Sequence, residues 1–139
     1  MPFLGGKRRL AKVRSMEEEQ SRVINAIRRL REGLRWRPEK DIQHLAKRIA
    51  LGHLAVGTTL AEYEAIIMRV ISIPTAEVFV YRWGESVYPT VVAELEGARW
   101  LVIFDLNGMM ETAFPPEDPE RYLANLCFQR LGTLEELGR

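Results

Sequence analysis

The chain has 139 residues, of which 47% are hydrophobic and 28% charged, with a formal net charge of +1. That length is enough for one domain with a sizeable core, and the composition excludes collagen-like, mucin-like and wholly disordered chains. The single cysteine, Cys127, excludes an internal disulfide and a cysteine zinc cluster, and a reducing, cytoplasmic setting is expected.

The near-zero charge conceals an asymmetry. Residues 1–40 hold 12 Lys+Arg against 5 Asp+Glu, net +7, whereas residues 41–139 hold 8 against 14, net −6. A basic arm on an acidic body suggests contact with nucleic acid, or an arm docked on its own body. No run approaches the roughly 20 apolar residues of a membrane span. The early cations are not followed by an apolar stretch, so a secretory signal is not expected.

Residues 1–14, with Gly5-Gly6 and five cations, predict a flexible basic tail. Ser15 and Glu18 have capping-box spacing and predict the start of a basic amphipathic helix over residues 15–36. Its apolar side carries Met16, Val23, Ile27, Leu30 and Leu34, and its polar side Arg22, Arg28, Arg29 and Arg31. The helix should stop between Gly33 and Pro38. A second helix is expected from Glu39 to Leu51, then the turn GHLAVG, then a third helix opened by the capping box Thr59 to Glu62 and running to Ile71.

From Pro74 the period changes to two. AEVFVYRW, SVYPTVVAEL, ARWLVIFD and MMETAF predict four strands separated by Gly84-Glu85, Glu96-Gly97 and Asn107-Gly108. Loops this short permit hairpins only, so an antiparallel meander is expected. Pro89 suggests a bulge or an edge position. Asp118-Pro119 predicts a last helix through Leu131, with Cys127 on its apolar stripe. The fold class is therefore α+β: N-terminal helices, a four-stranded antiparallel meander and a C-terminal helix, with residues 37–139 as one domain. Both strand faces are apolar, Val78 and Val80 against Phe79, Tyr81 and Trp83, so the second face is a cleft, a partner surface or roofed by the last helix.

His44 and His53 are the only histidines, and no clustered Asp/Glu or Cys joins them, so neither a metal nor another cofactor is expected. In HLAKR, His44, Lys47 and Arg48 fall at i, i+3 and i+4 and project from one side of the second helix. An imidazole beside two cations suits phosphate chemistry, because metal-free RNA cleavage needs a base for the 2′-OH proton and cations for the phosphorane charge. The same spacing also fits a histidine among solvated surface cations. Tyr81 and Tyr88 offer phenols, or simply pack on the sheet. Trp36, in the basic run RWRPEK, is the sharper candidate for stacking an unpaired base, and Lys47, Arg28, Arg29, Arg35 and Arg37 are candidate RNA contacts.

The ordered series HLAKR, GHLAVGTT, EYEAIIMRVI, EVFVYRW, WLVIFD and METAFPP, covering residues 41–116, resembles the toxin-type ribonucleases of the barnase, EndoU, colicin-D and RelE-like superfamily, including branches found in phage and polymorphic toxins. The resemblance implies a metal-independent endonuclease acting on tRNA or mRNA, and an accompanying inhibitor or antitoxin protein. It implies catalytic positions at His44, Arg48 and Thr112, with Arg82 as a second phosphate ligand. Many relatives have H-x-x-x-R-H, whereas here Ile49 follows Arg48 and the next histidine is His53. Either His53 replaces it from the turn or the catalytic pair is incomplete. The competing expectation is a non-catalytic RNA-binding or interaction module on a degenerate nuclease-like fold, forming a homo- or hetero-oligomer through Val23, Ile27, Leu30 and Leu34 of the helix 15–34.

Overall fold

The computed structural model describes the backbone of residues 2–138 and the side chains of residues 15–138. The elements run α1 (Pro2–Glu32), β1 (Arg35–Trp36), α2 (Lys40–Ala50), α3 (Leu60–Val70), β2 (Glu77–Trp83), β3 (Ser86–Leu95), β4 (Ala98–Phe104), β5 (Met109–Phe114), α4 (Pro119–Leu123), β6 (Phe128–Thr133) and α5 (Leu134–Leu137). The class is α+β. The sheet has six strands in the order β1-β5-β4-β3-β2-β6, rather than four.

The meander β2–β5 lies at its centre, antiparallel throughout. Its first two loops have two residues each, between Trp83 and Ser86 and between Leu95 and Ala98. At the second, Glu96 and Gly97 both have positive φ, 51° and 83°, as a turn matching the twist of the strands requires. Pro89 causes no bulge. It pairs only with Val80 of β2, since the β4 ladder begins at Thr90, so the missing N–H falls where β3 has a single neighbour.

Two strands extend the meander. β1 adds two residues in parallel register, Arg35 beside Met109 and Trp36 beside Met110. β6 occupies the segment expected to continue the last helix. Asp118 does cap α4, accepting from Arg121 N, but that helix ends at Leu123. Asn125 then turns the chain: its side chain accepts from Cys127 N and its carbonyl from Phe128 N. Cys127 is thus a loop residue before β6 and not part of a helical stripe.

α1 also differs from expectation, because it begins at Pro2 and passes through Ser15. Ser15 can cap only if it leaves helical geometry, and the good helix formers on both sides, LAKVR and MEEEQ, favour propagation instead. The tail expected over residues 1–14 lies, as to its side chains, outside the described residues. The apolar stripe of α1 is buried within the chain: Val23, Ala26 and Leu30 are fully buried and Ile27 nearly so. They pack with Tyr63, Ile67 and Val70 of α3 on the sheet face carrying Val78, Val80, Val91 and Val102. Leu34 joins the edge of that core. These residues are therefore not presented to a second chain, contrary to the oligomer expectation. The β4–β5 turn tucks beneath α1, where a Cβ on Gly108 (φ 80°) would meet the Arg29 Cβ at 3.0 Å.

Candidate functional site at the β5 edge

α2 touches α3 and β5, which sets one side of that helix over one end of the sheet. α2 starts at Glu39, which has φ 68° and gives no side-chain cap, and it ends in a turn at Leu51 and Gly52. The turn brings the chain back, with His53 N donating to Arg48 O at 2.9 Å.

Four of the sequence-selected residues meet there. His44 Nδ1 lies 3.2 Å from Thr112 Oγ1, and Arg48 Nη1 lies 3.2 Å from His53 Nδ1. The Arg48 guanidinium sits 5.3 Å from the centre of the Phe114 ring, and Trp36 packs behind His44 at 5.8 Å between ring centres. Lys47 is exposed on the same helix.

Arg48 is the unusual member. It is 4% exposed, its Nε has no hydrogen-bond partner, and no carboxylate of the described residues pairs with it. Buried guanidinium groups are ordinarily matched by an acid, since an uncompensated buried charge is costly. Because Arg has donors only, His53 Nδ1 must accept, which fixes the neutral His53 with its proton on Nε2. Burial pulls the Arg48 guanidinium below its ordinary value. Burial, and then the charges of Arg48, Lys47 and Lys40, hold the His44 imidazole below its usual range. Burial and Arg48 do the same to His53, against a weaker opposing pull from Glu117. Both imidazoles are therefore neutral at pH 7.

Thr112 reaches this site through a bulge in β5. The β4 pairing steps from Ile103↔Thr112 to Phe104↔Met110, so Glu111 is an extra residue opposite no partner. Met110 and Thr112 would share a face in an unbroken strand, as the sequence suggests. Instead Met110 packs in the helix-side core, while Thr112 lines up with Ile103, Thr90 and Phe79 on the other face. The bulge also turns Glu111 into a cleft of about 210 Å3 on that face, lined by Tyr81, Tyr88, Ile103, Tyr122 and Phe128. Glu111 was not among the residues selected from sequence, because a register shift leaves no mark in the hydrophobic pattern.

The second sheet face is thus partly roofed. Phe79, Val92 and Leu101 form a small core under Leu123 and Phe128, and the cleft opens beside it. Tyr81 and Tyr88 pack on the sheet and also wall the cleft.

Arg82 does not join the site. Its guanidinium makes two bonds to the Glu19 carboxylate of α1, at 2.6 and 2.9 Å, and one to Gln129. It alternates with Val78 and Val80, on the α1 face, and β2 is three strands from β5, about 14 Å at the usual spacing. The expected role of Arg82 as a phosphate ligand beside His44 is therefore corrected. Arg28 and Arg29 are exposed on α1, the layer across the sheet from the cleft. Arg35 is exposed on β1, and Arg37 reaches the cleft rim, its Nη2 3.3 Å from Glu111 Oε1. Trp36 is half-buried against Tyr63 and His44 rather than presented as an open stacking platform.

Among the described residues, no three or more His, Cys, Asp or Glu side chains form a group that could hold a metal ion, and no helix is long and apolar enough to cross a membrane. Compared with known proteins, the chain matches no family model, no curated sequence and no solved structure.

Proposed function

We propose that the protein is a metal-independent endoribonuclease whose site is centred on His44. The observation that carries the reading is an imidazole within 3.2 Å of a hydroxyl, on the same helix side as a buried arginine that no acid of the described residues neutralises. For His44 Nε2 to act as base, Nδ1 must carry the proton; Thr112 Oγ1, 3.2 Å away, then accepts a hydrogen bond from Nδ1–H and holds the ring plane. His44 Nε2 then takes the proton of a ribose 2′-OH. The 2′-oxygen bonds to the adjacent phosphorus, the P–O5′ bond breaks, and the departing O5′ takes a proton from water, whose hydroxide recovers the proton held on His44 Nε2. The products are a 2′,3′-cyclic phosphate and a 5′-hydroxyl.

Arg48 supplies positive potential where the phosphorane gathers negative charge, in surroundings that screen it less than water does. Its free Nε is a donor awaiting an acceptor. His53 acts as a positioning residue, holding the guanidinium through Nδ1 from the turn after α2. That places a second histidine in the cluster although Ile49 follows Arg48 in sequence. Lys47 and Arg37 add exposed cations at the rim, and Arg28, Arg29 and Arg35 add longer-range phosphate affinity that falls steeply with salt.

The test is incubation of the purified protein with tRNA and mRNA in EDTA, alongside His44→Ala. Cleavage by the wild type, leaving cyclic-phosphate ends and lost in the variant, is the expected result. RNA left intact by both proteins overturns the enzyme reading and leaves the RNA-binding module in its place.

A further inference from the structure

The aromatic cleft on the sheet face opposite α1 has walls and a charge that the chemistry proposed at His44 leaves unused. At about 210 Å3 it falls below the roughly 300–1,000 Å3 of drug-sized ligand sites, so it suits a small head group or the tip of a side chain. Four rings wall it: Tyr81, Tyr88, Tyr122 and Phe128. Between ring centres Tyr81 stands 6.4 Å from Tyr88 and 4.8 Å from Phe128, and Tyr122 stands 5.6 Å from Phe128. These pairs are inclined by 36°, 46° and 52°, so the rings curve around a shared space rather than lying flat on one another. Exposed Trp83, stacked on Tyr81 at 9° between planes, prolongs the wall toward solvent.

The bulge in β5 makes Glu111 the one charged side chain lining the cleft, and its enclosed Oε1 accepts no hydrogen bond. Arg37 faces Oε1 from the rim as an ion pair at 3.3 Å without hydrogen-bond geometry, on a side chain 59% exposed and able to turn aside. The carboxylate thus already draws one cation toward the cleft while keeping an acceptor unfilled. Ring faces carry negative potential and attract a cation lying within about 6 Å of the ring centre. Rings this close together let one cation meet more than one face, and the net charge of −6 over residues 41–139 acts in the same direction. A primary ammonium fits poorly, because it brings three N–H donors and a tight hydration shell to a single orphaned acceptor. Alkyl groups on the nitrogen exchange those donors for apolar surface that the rings cover. With three alkyl groups, one N–H remains, and it matches Oε1.

We propose that the cleft is a binding site for a tertiary alkylammonium ion, such as a dimethylated amine, whose N–H donates to Glu111 Oε1 and whose methyl groups pack against Tyr81, Tyr88, Tyr122 and Phe128. The site is additional to the RNA chemistry proposed at His44 and does not depend on it.

The experiment is calorimetric titration of the full chain at pH 7 with N-acetyl-lysine amide, its Nε-dimethyl and Nε-trimethyl derivatives, and the uncharged analogue in which C–H replaces the dimethylated nitrogen. The dimethyl form should bind about tenfold tighter than the unmethylated and uncharged forms, and about threefold tighter than the trimethyl form, which has no N–H to donate. Titrations are repeated on Glu111→Gln and Arg37→Ala, each checked for folding by thermal denaturation. Glu111→Gln should weaken dimethyl binding about tenfold, and Arg37→Ala should tighten it about threefold by removing the competing cation. Should Glu111→Gln unfold, Arg37→Ala and Tyr88→Leu carry the test, the latter weakening binding about fivefold. N,N-dimethylbutylamine run alongside separates the sources of the ion: binding equal to that of the dimethyl-lysine assigns a free amine, and binding about tenfold weaker assigns a methylated protein side chain. Unmethylated, uncharged or trimethyl forms bound as tightly as the dimethyl form, or binding of none of them, overturn the proposal. So does undiminished dimethyl binding by a folded Glu111→Gln or, where that variant unfolds, by a folded Tyr88→Leu.

Discussion

Replacing Arg48 with methionine separates a functional arginine from a structural one. The substitution removes the Arg48–His53 hydrogen bond, worth about 1.5–3 kcal/mol for a charged donor, and the contact with Phe114, worth about 0.5–2 kcal/mol. It also removes an orphaned buried Nε, which costs about 1–3 kcal/mol, and the burial of a cation with no paired acid, which costs several more. Methionine fills nearly the same volume and adapts to irregular space. The terms leave Arg48→Met between unchanged and about 2 kcal/mol more stable, a rise in Tm of no more than roughly 6 °C. Cleavage should fall by about 10²-fold, the usual consequence of removing one preorganised charge from a transition state. The assays are thermal denaturation and initial rates on a defined RNA in EDTA. A Tm lowered by about 10 °C, with the rate per folded molecule unchanged, would show that Arg48 serves the fold and would refute the reasoning.

Thr112→Val keeps the shape and removes the hydroxyl beside His44 Nδ1; the rate should drop about tenfold for a stability cost near 1 kcal/mol, and an unchanged rate would detach Thr112 from the site. Arg82→Ala should leave cleavage within about twofold, since Arg82 is engaged with Glu19 away from His44, and a loss as deep as that of His44→Ala would restore it as a phosphate ligand. Acid should destabilise the fold through both histidines. Their folded-state values lie below the unfolded value of about 6.5, so the unfolded chain binds protons more readily; stability is full above that pH and is lost as pH falls through and below it. The His44→Gln, His53→Gln double variant should flatten the decline of Tm between pH 7 and pH 5, and a decline of unaltered slope would contradict the assignment. Tyr63→Phe removes a buried hydroxyl that donates to Ala113 O at 2.6 Å, one residue from Thr112; it should cost about 1–3 kcal/mol in denaturant unfolding, and no change would mean that bond contributes little.

What was legible in the sequence is what local chemistry encodes. The capping box from Thr59 to Glu62 forms as its spacing implies, and the turns Gly84-Glu85 and Glu96-Gly97 close two-residue loops that dictate the meander. His44 and Arg48 share a helix side because of the 3.6-residue period, and MMETAF forms the strand β5. What was hidden depends on pairing. β1 is two residues long and has no period to read, and the segment leading from α4 into β6 carries Leu123, Cys127 and Leu131 at helical spacing around an Asn125 turn that breaks the helix. The bulge inverts the face of Thr112 relative to Met110 and aims Glu111, because register belongs to two strands together. The placement of Arg82 follows from alternation with Val78 and Val80, which puts it on the α1 side, where it meets Glu19. The charge asymmetry is resolved in part: Glu19 and Arg82 tie arm to body, while Arg28, Arg29 and Arg35 have no carboxylate partner among the described residues.

The central claim is a metal-free attack by a ribose 2′-oxygen at His44. Its most direct measurement compares an RNA oligonucleotide with the same sequence made of 2′-deoxy sugars, incubated in EDTA with product ends read by mass spectrometry. The account predicts that the RNA is cut to 2′,3′-cyclic phosphate and 5′-hydroxyl ends and that the deoxy strand survives. Intact RNA, or both strands cut alike, would contradict it.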